Sequence, residues 1–298
     1  MIKFRIVKDK IARHTMSGLT VLSLTFLFLI ATGLFFKALP IMQSKNIWDL
    51  LSASSWKPFK GEYGFLPYII STLQVTAIAI IIALPVSLLT AIYLTEYANS
   101  RVKKIAYPFV DVLSGIPPVV FGVWGIITIV PFISDKLAPH FVEFSTGYTV
   151  LAGGIVLAIM IIPLIVSILS ELFNAIPKEM REASLSVGAT KWQTIKKVVL
   201  RKSLSGIIAA IVLAISRAFG ETIAVLMVCG NTAIIPKSIF ESCYPLPALI
   251  ANNYGEMMSM PDYESALMFA ALLLFVIIVL FNAGSRFILI RIERKYAL

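Results

Sequence analysis

Long apolar runs separated by short clusters of charge set the pattern of this chain. A helix that crosses a bilayer needs about 20 mostly apolar residues, so the spacing between consecutive charges is the informative measure. Five uncharged stretches reach that length: 15–36, 63–95, 112–134, 144–170 and 265–285. In the second, Pro67 places the leading residues outside the hydrocarbon, and the span is expected at about 68–93. A sixth run, 203 to about 228, is long and apolar enough but contains Arg217 and Glu221. The pattern predicts an all-α polytopic membrane protein with six transmembrane helices. The first run exceeds the roughly 7 to 15 residues of a signal-peptide core and no clean small-x-small site follows it, so it is expected to be retained.

The connections are short, without low-complexity stretches or soluble-sized insertions. The expected organisation is a tail over 1–14 and a single membrane domain over 15–298, with a long loop at 171–202. In that loop Pro177 suits a first helical position, Glu179 and Glu182 fall in early turns where the helix dipole favours acids, and Gly188 closes the segment. Thr190 and Gln193 have capping-box spacing, and Trp192, Ile195, Val198 and Val199 recur on one face of a second short helix that merges into the fifth span. Two short helices on one membrane face suit a docking knob for a partner. A tethering loop with its apolar face on lipid headgroups is the other reading the pattern allows.

Composition strengthens the membrane reading, with 58% hydrophobic and only 14% charged residues among 298, against about a quarter charged in an average soluble domain. The net charge of +10 could suggest nucleic acid, so location decides. Lys and Arg number five before the first span, three in the second loop, seven from Lys178 to Lys202 and four after the last span, nineteen together, against six in the intervening connections. By the positive-inside rule both termini are expected in the cytoplasm, and the charge reads as an orientation signal, with no nucleic-acid partner. Cys229, Cys243, His14 and His140 are too few for a disulfide scaffold or a Cys/His metal cluster. The cysteines fall near or beyond the outer end of the fifth span, where a disulfide or two free thiols would fit. No G-x-x-x-x-G-K-[ST] loop occurs, so any driving ATP is expected on another chain.

The sharpest candidates are Arg217 and Glu221. On a continuous helix, residues four apart share a face, and each charge would cost about 2.5–3.5 kcal/mol at the bilayer centre unless paired or hydrated. Ser216, Gly220 and Thr222 make the surroundings small and polar, as a substrate pathway requires; a self-neutralising structural pair is the alternative. Gly115, Ile116, Pro117 and Pro118 open the third span and break helical continuity, which suits either a discontinuous pathway helix or an ordinary kink.

These segments carry a family resemblance. Glu182-Ala183-Ser184, then Gly188 after three residues, resembles the E-A-A-x-x-x-G signature of type I ABC importer permeases of MetI-like fold, where it forms the helices that fit a cleft in the ATPase. The family's downstream I-x-L-P stands here as Val198-Val199-Leu200-Arg201, with the proline replaced. More specifically, Gly115 through Gly122, Ser216 through Val225 with Gly230-Asn231, and Trp56, Pro58, Tyr63-Gly64 and Leu66-Pro67 ahead of Thr72 are similar to the PstC family of phosphate importer permeases. The similarity runs from about Trp56 onward.

The resemblance implies a five-helix permease core preceded by one extra N-terminal helix, in a prokaryotic cell membrane and without catalysis of its own. It implies a PstA-like sister permease, a PstB-like ATPase dimer that binds ATP and Mg, and a PstS-like extracytoplasmic phosphate-binding protein, with no cofactor or metal on this chain. Arg217, Glu221, Ser216 and Thr222 would then line the phosphate pathway, Gly115, Pro117 and Pro118 would break a pathway helix, and Glu182, Ala183 and Gly188 would couple to the ATPase. The chemistry agrees, because phosphate crossing hydrocarbon needs a cation and donors, and Arg suits bidentate recognition of its oxygens. The competing readings are a different oxyanion or solute, a passive channel, and a membrane enzyme, for which no nucleophile–base pair or metal ligand set stands at one membrane depth.

Overall fold

A computed structural model describes residues 2–255 and 260–296, with side chains over 8–291 except 256–259 and 288. The side chains of Lys3, Arg5, Arg294 and Lys295, counted above toward the charge asymmetry, lie outside the described residues. Five helices are long and apolar enough to cross a membrane, and a bent helix pair makes a sixth crossing when taken as one span.

Helix α1 (Ile2–Ser44) satisfies its hydroxyls internally: Thr15, Thr20, Ser23, Thr25 and Thr32 each donate to the carbonyl four residues back, the arrangement a helix needs where no water competes. Leu19, Phe28 and Phe36 stay exposed along it, and it joins the bundle near its C-terminal end, where Ala38 and Ile41 are buried. Short α2 (Ile47–Ser52) and a hairpin of β1 (Trp56–Lys57) with β2 (Glu62–Tyr63) follow, Trp56 facing Tyr63 across the ladder. Trp56 packs edge-on against Tyr63, Phe65 and Tyr68, with centroids 5.3–5.5 Å away. This aromatic knot covers one end of the bundle, the hairpin end.

Helix α3 (Leu66–Ile92) takes in Pro67 in its first turn, where a missing N–H costs nothing, and runs on through a π turn at Tyr93–Tyr97. It packs along α6 (Val150–Asn174) in the main core, and glycines set the approach. A Cβ on Gly154 would lie 2.4 Å from Ile78, and one on Gly153 would lie 2.4 Å from the Cys229 sulfur; small residues let membrane helices close in this way.

Between them the structure departs from the charge spacing. Residues 112–115, expected to open the third span, belong to an amphipathic helix α4 (Ser100–Gly115) capped by Asn99, whose side chain accepts from Val102 N–H at 2.9 Å. Lys103, Lys104 and Asp111 hid this helix from a search for uncharged runs. The third crossing, 118–140, starts after Pro117 with α5 (Pro118–Trp124) and continues through π turns. The Gly115–Pro118 break therefore joins two helices of different character and does not interrupt the crossing itself.

Beyond α6 come α7 (Lys178–Ser186), α8 (Lys191–Thr194), a π turn at Ile195–Val199 and α9 (Leu200–Lys202). The expected merger into the fifth span is replaced by a 68° bend before α10 (Leu204–Gly220). The fifth crossing is also broken at its far end, where α11 (Ile223–Val228) is a separate helix. A buried strand-like segment and α12 (Leu246–Asn253) then fold back against α3, held by Tyr244 N–H to Ser71 Oγ (3.2 Å) and Leu246 N–H to Thr72 Oγ1 (2.9 Å). Helix α13 (Pro261–Tyr296) closes the bundle and ties to α1 through Lys37–Glu264 (2.8 Å) and Ile41 N–H to Ser265 Oγ (3.0 Å).

Candidate functional site

Two regions carry the candidate chemistry, one at the α7 end of the bundle and one at the break in the fifth crossing. In the first, Pro177 is the N-cap of α7, one residue ahead of the expected first turn. Gly188 takes φ +85°, its N–H reaching Leu185 O at 3.0 Å while Ala189 N–H reaches Ser184 O at 3.3 Å, the paired bonds of a left-handed helix cap. An added Cβ there would meet nothing within 4 Å, so the backbone angle alone calls for glycine. Glu182 and Ala183 are exposed on α7, with Leu185, Val187 and Trp192 exposed around them.

The Thr190–Gln193 capping box forms as expected, at 3.3 and 2.8 Å. Trp192, expected on the apolar face, is instead 51% exposed, while Ile195 and Val199 are buried. The following bend forms at Ser203, whose buried hydroxyl donates to Val199 O at 2.8 Å. It needs no proline, so Arg201 in the family's proline position leaves the turn intact.

A further residue here was missed by sequence reading. Arg181 on α7 gives Nε and Nη2 to Glu96 Oε1 at 3.1 and 2.8 Å, Nη1 to Ile176 O at 2.6 Å and Nη2 to Phe173 O at 2.7 Å. Glu96 sits in the π turn that ends α3, and the two carbonyls belong to the C-terminal end of α6 and the residues after it. A cavity of about 360 Å³ beside this pair is bordered by Lys103, Lys178 and Glu182. The available signal was a single carboxylate ending a long apolar run, whose partner lay 85 positions away.

At the second region Arg217 and Glu221 do not share a helix face. Helix α10 stops at Gly220 and Glu221 is extended (φ −73°, ψ 125°), so its half-buried side chain leaves the α10 face and lies near the backbone amides of Thr222 and Ala224 at the start of α11. An acid at a helix N-terminus satisfies otherwise unpaired donors and the positive end of the dipole. The carboxylate borders a gap of about 10 Å³ beside Thr72, Thr76 and Phe219. Arg217 is exposed on the bundle surface, and among the described residues no carboxylate lies within ion-pair distance of it.

The neighbours divide in the same way. The Ser216 hydroxyl lies 2.8 Å from Asn282 Oδ1 on α13, tying two helices together, and Thr222 donates to Gly220 O at 3.2 Å. Pro117 caps α5, Pro118 begins it, and Gly122 in its second turn meets α11: a Cβ there would lie 2.6 Å from Met227 Sδ and 3.3 Å from Ala224 Cα. The Gly115–Pro118 break thus sets α5 against α11, the helix that follows Glu221. Past α11, Cys229 and Cys243 are both buried and free, adjacent through Cys243 N–H to Cys229 O at 2.9 Å. Among the described residues no group of three His, Cys, Asp or Glu is placed to hold a metal ion.

A multi-pass helical bundle with a helix pair folded across one end and a broken crossing beside an exposed cation defines a membrane component of a transport system. The chain belongs to the family of binding-protein-dependent transport system inner membrane components, which matches residues 83–296. It is 40% identical over 209 residues to the probable ABC transporter permease protein YqgH of Bacillus subtilis (strain 168), covering 70% of this chain and 66% of that protein. It is 33% identical over 256 residues to the phosphate transport system permease protein PstC of Pasteurella multocida (strain Pm70), covering 81% and 79%. In structure it is similar to a chain of a bacterial alginate ABC transporter in complex with alginate pentasaccharide-bound periplasmic protein, with a TM-score of 0.60, 15% identity and 95% and 96% coverage. The fold is that of type I ABC importer permeases, and the chain is a permease component, not an enzyme.

Proposed function

We propose that this chain is the permease subunit of an ABC importer that carries inorganic phosphate inward, driven by ATP hydrolysis on a separate subunit. The observation that carries the reading is Arg217. It is a permanently charged guanidinium, exposed on the bundle surface three residues before the fifth crossing breaks at Gly220, with no carboxylate among the described residues within ion-pair distance. A cation so placed is costly in hydrocarbon and is kept where an anion passes or a second chain supplies the other wall. The relatives named as phosphate permeases supply the substrate class.

In this reading a PstA-like sister permease completes the pathway around Arg217 and Thr222, and Glu221 and the Gly115–Pro118 break hold the broken crossing in shape. Glu182, Ala183 and Gly188 present α7 to one member of a PstB-like ATPase dimer, which holds ATP and Mg. A PstS-like binding protein delivers phosphate at the hairpin end, and both termini are cytoplasmic. Residues 15–298 act as one permease domain, with 171–202 as its coupling loop.

Competition tests the substrate. ATP-dependent uptake of labelled phosphate by the assembled complex should be abolished by excess unlabelled phosphate and left by excess sulfate; inhibition by sulfate alone would move the reading to another oxyanion.

A further inference from the structure

Helix α7 has no buried residue, although it is the helix presented to the ATPase in the reading above. Apolar packing therefore does little to hold it against the membrane helices. Its attachment to the bundle is polar: the Ser184–Thr194 hydroxyl contact (2.9 Å) lies within its own loop, whereas Arg181 reaches out of the loop into two crossings. The Arg181 side chain is 18% exposed and that of Glu96 only 9%. One guanidinium there serves a carboxylate at the end of α3 and two carbonyls at the end of α6. Phe173 O lies at the end of α6 and Ile176 O just past it, and the planar guanidinium meets the three acceptors with donors in a fixed fork, a geometry that a point-like ammonium does not reproduce.

From Glu96 the rod of α3 runs back about 30 Å to Thr76 and about 36 Å to Thr72, at 1.5 Å per residue. These two side chains border the gap beside the Glu221 carboxylate, and Thr72 also holds the backbone of Leu246. We infer that Arg181 is a positioning residue which locks α7 to α3, so that a displacement of the ATPase-facing helix is delivered along α3 to the break in the fifth crossing. The inference rests on the reading of α7 as the ATPase-facing helix. It adds a role for Arg181 and Glu96, which lie outside the expected coupling residues.

The test uses the assembled complex with nitroxide labels at Ser186→Cys on α7 and Tyr93→Cys at the end of α3, both exposed positions, the two native thiols being fully buried. With Arg181 and Glu96 intact, the inter-label distance should keep one narrow distribution with and without ATP. Glu96→Gln is nearly isosteric and leaves an acceptor, so the fold should persist; the distribution should widen and shift on adding ATP, and phosphate carried per ATP should fall about tenfold while the ATPase still co-purifies. Arg181→Lys should behave likewise. A parent distance that already changes with ATP, or a Glu96→Gln complex with parental distance and parental uptake per ATP, would overturn the lock. Failure of the parent complex to take up any phosphate would count against the proposed substrate, while the label distance still decides the role of Arg181.

Discussion

Arg217 and Glu221, four positions apart in sequence, lie in different settings: Arg217 is exposed on the last turn of α10, whereas Glu221 is half-buried on extended backbone past the end of that helix. No salt-bridge contact joins them, so only a longer-range Coulombic interaction links the two charges. Neutralising both together should not restore what either loss removes, because no ion pair exists to be relieved. Phosphate uptake by Arg217→Gln, Glu221→Gln and the double variant checks this. Recovery in the double variant would show that the charges neutralise each other in the membrane.

Glu221 stands at the junction of α10 and α11 near the amides of Thr222 and Ala224, where its carboxylate would act as a helix cap, and its amide should preserve much of that role. Glu221→Gln keeps an acceptor oxygen for Thr222 and Ala224, whereas Glu221→Ala removes it at a cost of about 0.5–2 kcal/mol, as for other helix caps. Thermal unfolding of the purified complex should rank the alanine variant below the glutamine variant. Equal melting temperatures would remove the cap from the account.

Gly188 requires only its left-handed backbone, with open space where a side chain would go. Gly188→Asn should therefore be mild and Gly188→Val severe, the β-branched residue paying about 1–2 kcal/mol for the positive φ. Membrane insertion should persist in both, with uptake per ATP lowered chiefly in the valine variant. Parental transport by Gly188→Val with ATPase bound would contradict the coupling role.

Ser216 was expected in the pathway, and its bond to Asn282 gives it a packing role as well. Ser216→Ala and Asn282→Ala should each destabilise by about 0.6 kcal/mol, the mean for such bonds in a membrane bundle, and together by less than the sum. Uptake should fall far less than in Arg217→Gln. A loss as large as that of Arg217→Gln in Ser216→Ala, with Asn282→Ala active, would place Ser216 on the substrate path.

How much of this was legible in the sequence depends on range. The crossings followed from charge spacing because burial in lipid acts on each long run separately. Gly188 and the Thr190–Gln193 box followed because each is closed within a few residues. The break at Gly220 could not be told from hydropathy, since Arg217 and Glu221 suit one polar face of a continuous helix as well as a helix end; only the backbone path shows that Glu221 has left the helix. Helix α4 was hidden by its own lysines, which ended the uncharged runs on either side. The Arg181–Glu96 pair could not be read at all, because its partners meet only after α3 and α6 have packed, through Gly153 and Gly154.

The central claim is that phosphate passes at Arg217, and it is tested most directly by ATP-driven uptake of labelled phosphate into proteoliposomes holding the complete complex, wild type beside Arg217→Gln. The account predicts ATP-dependent accumulation by the wild type. It predicts a fall of about 10- to 100-fold in the variant, the loss of one hydrogen-bonded charge worth about 1.5–3 kcal/mol, with assembly and basal ATP hydrolysis retained. Uptake by Arg217→Gln at the wild-type rate, in a complex of normal composition, would contradict it.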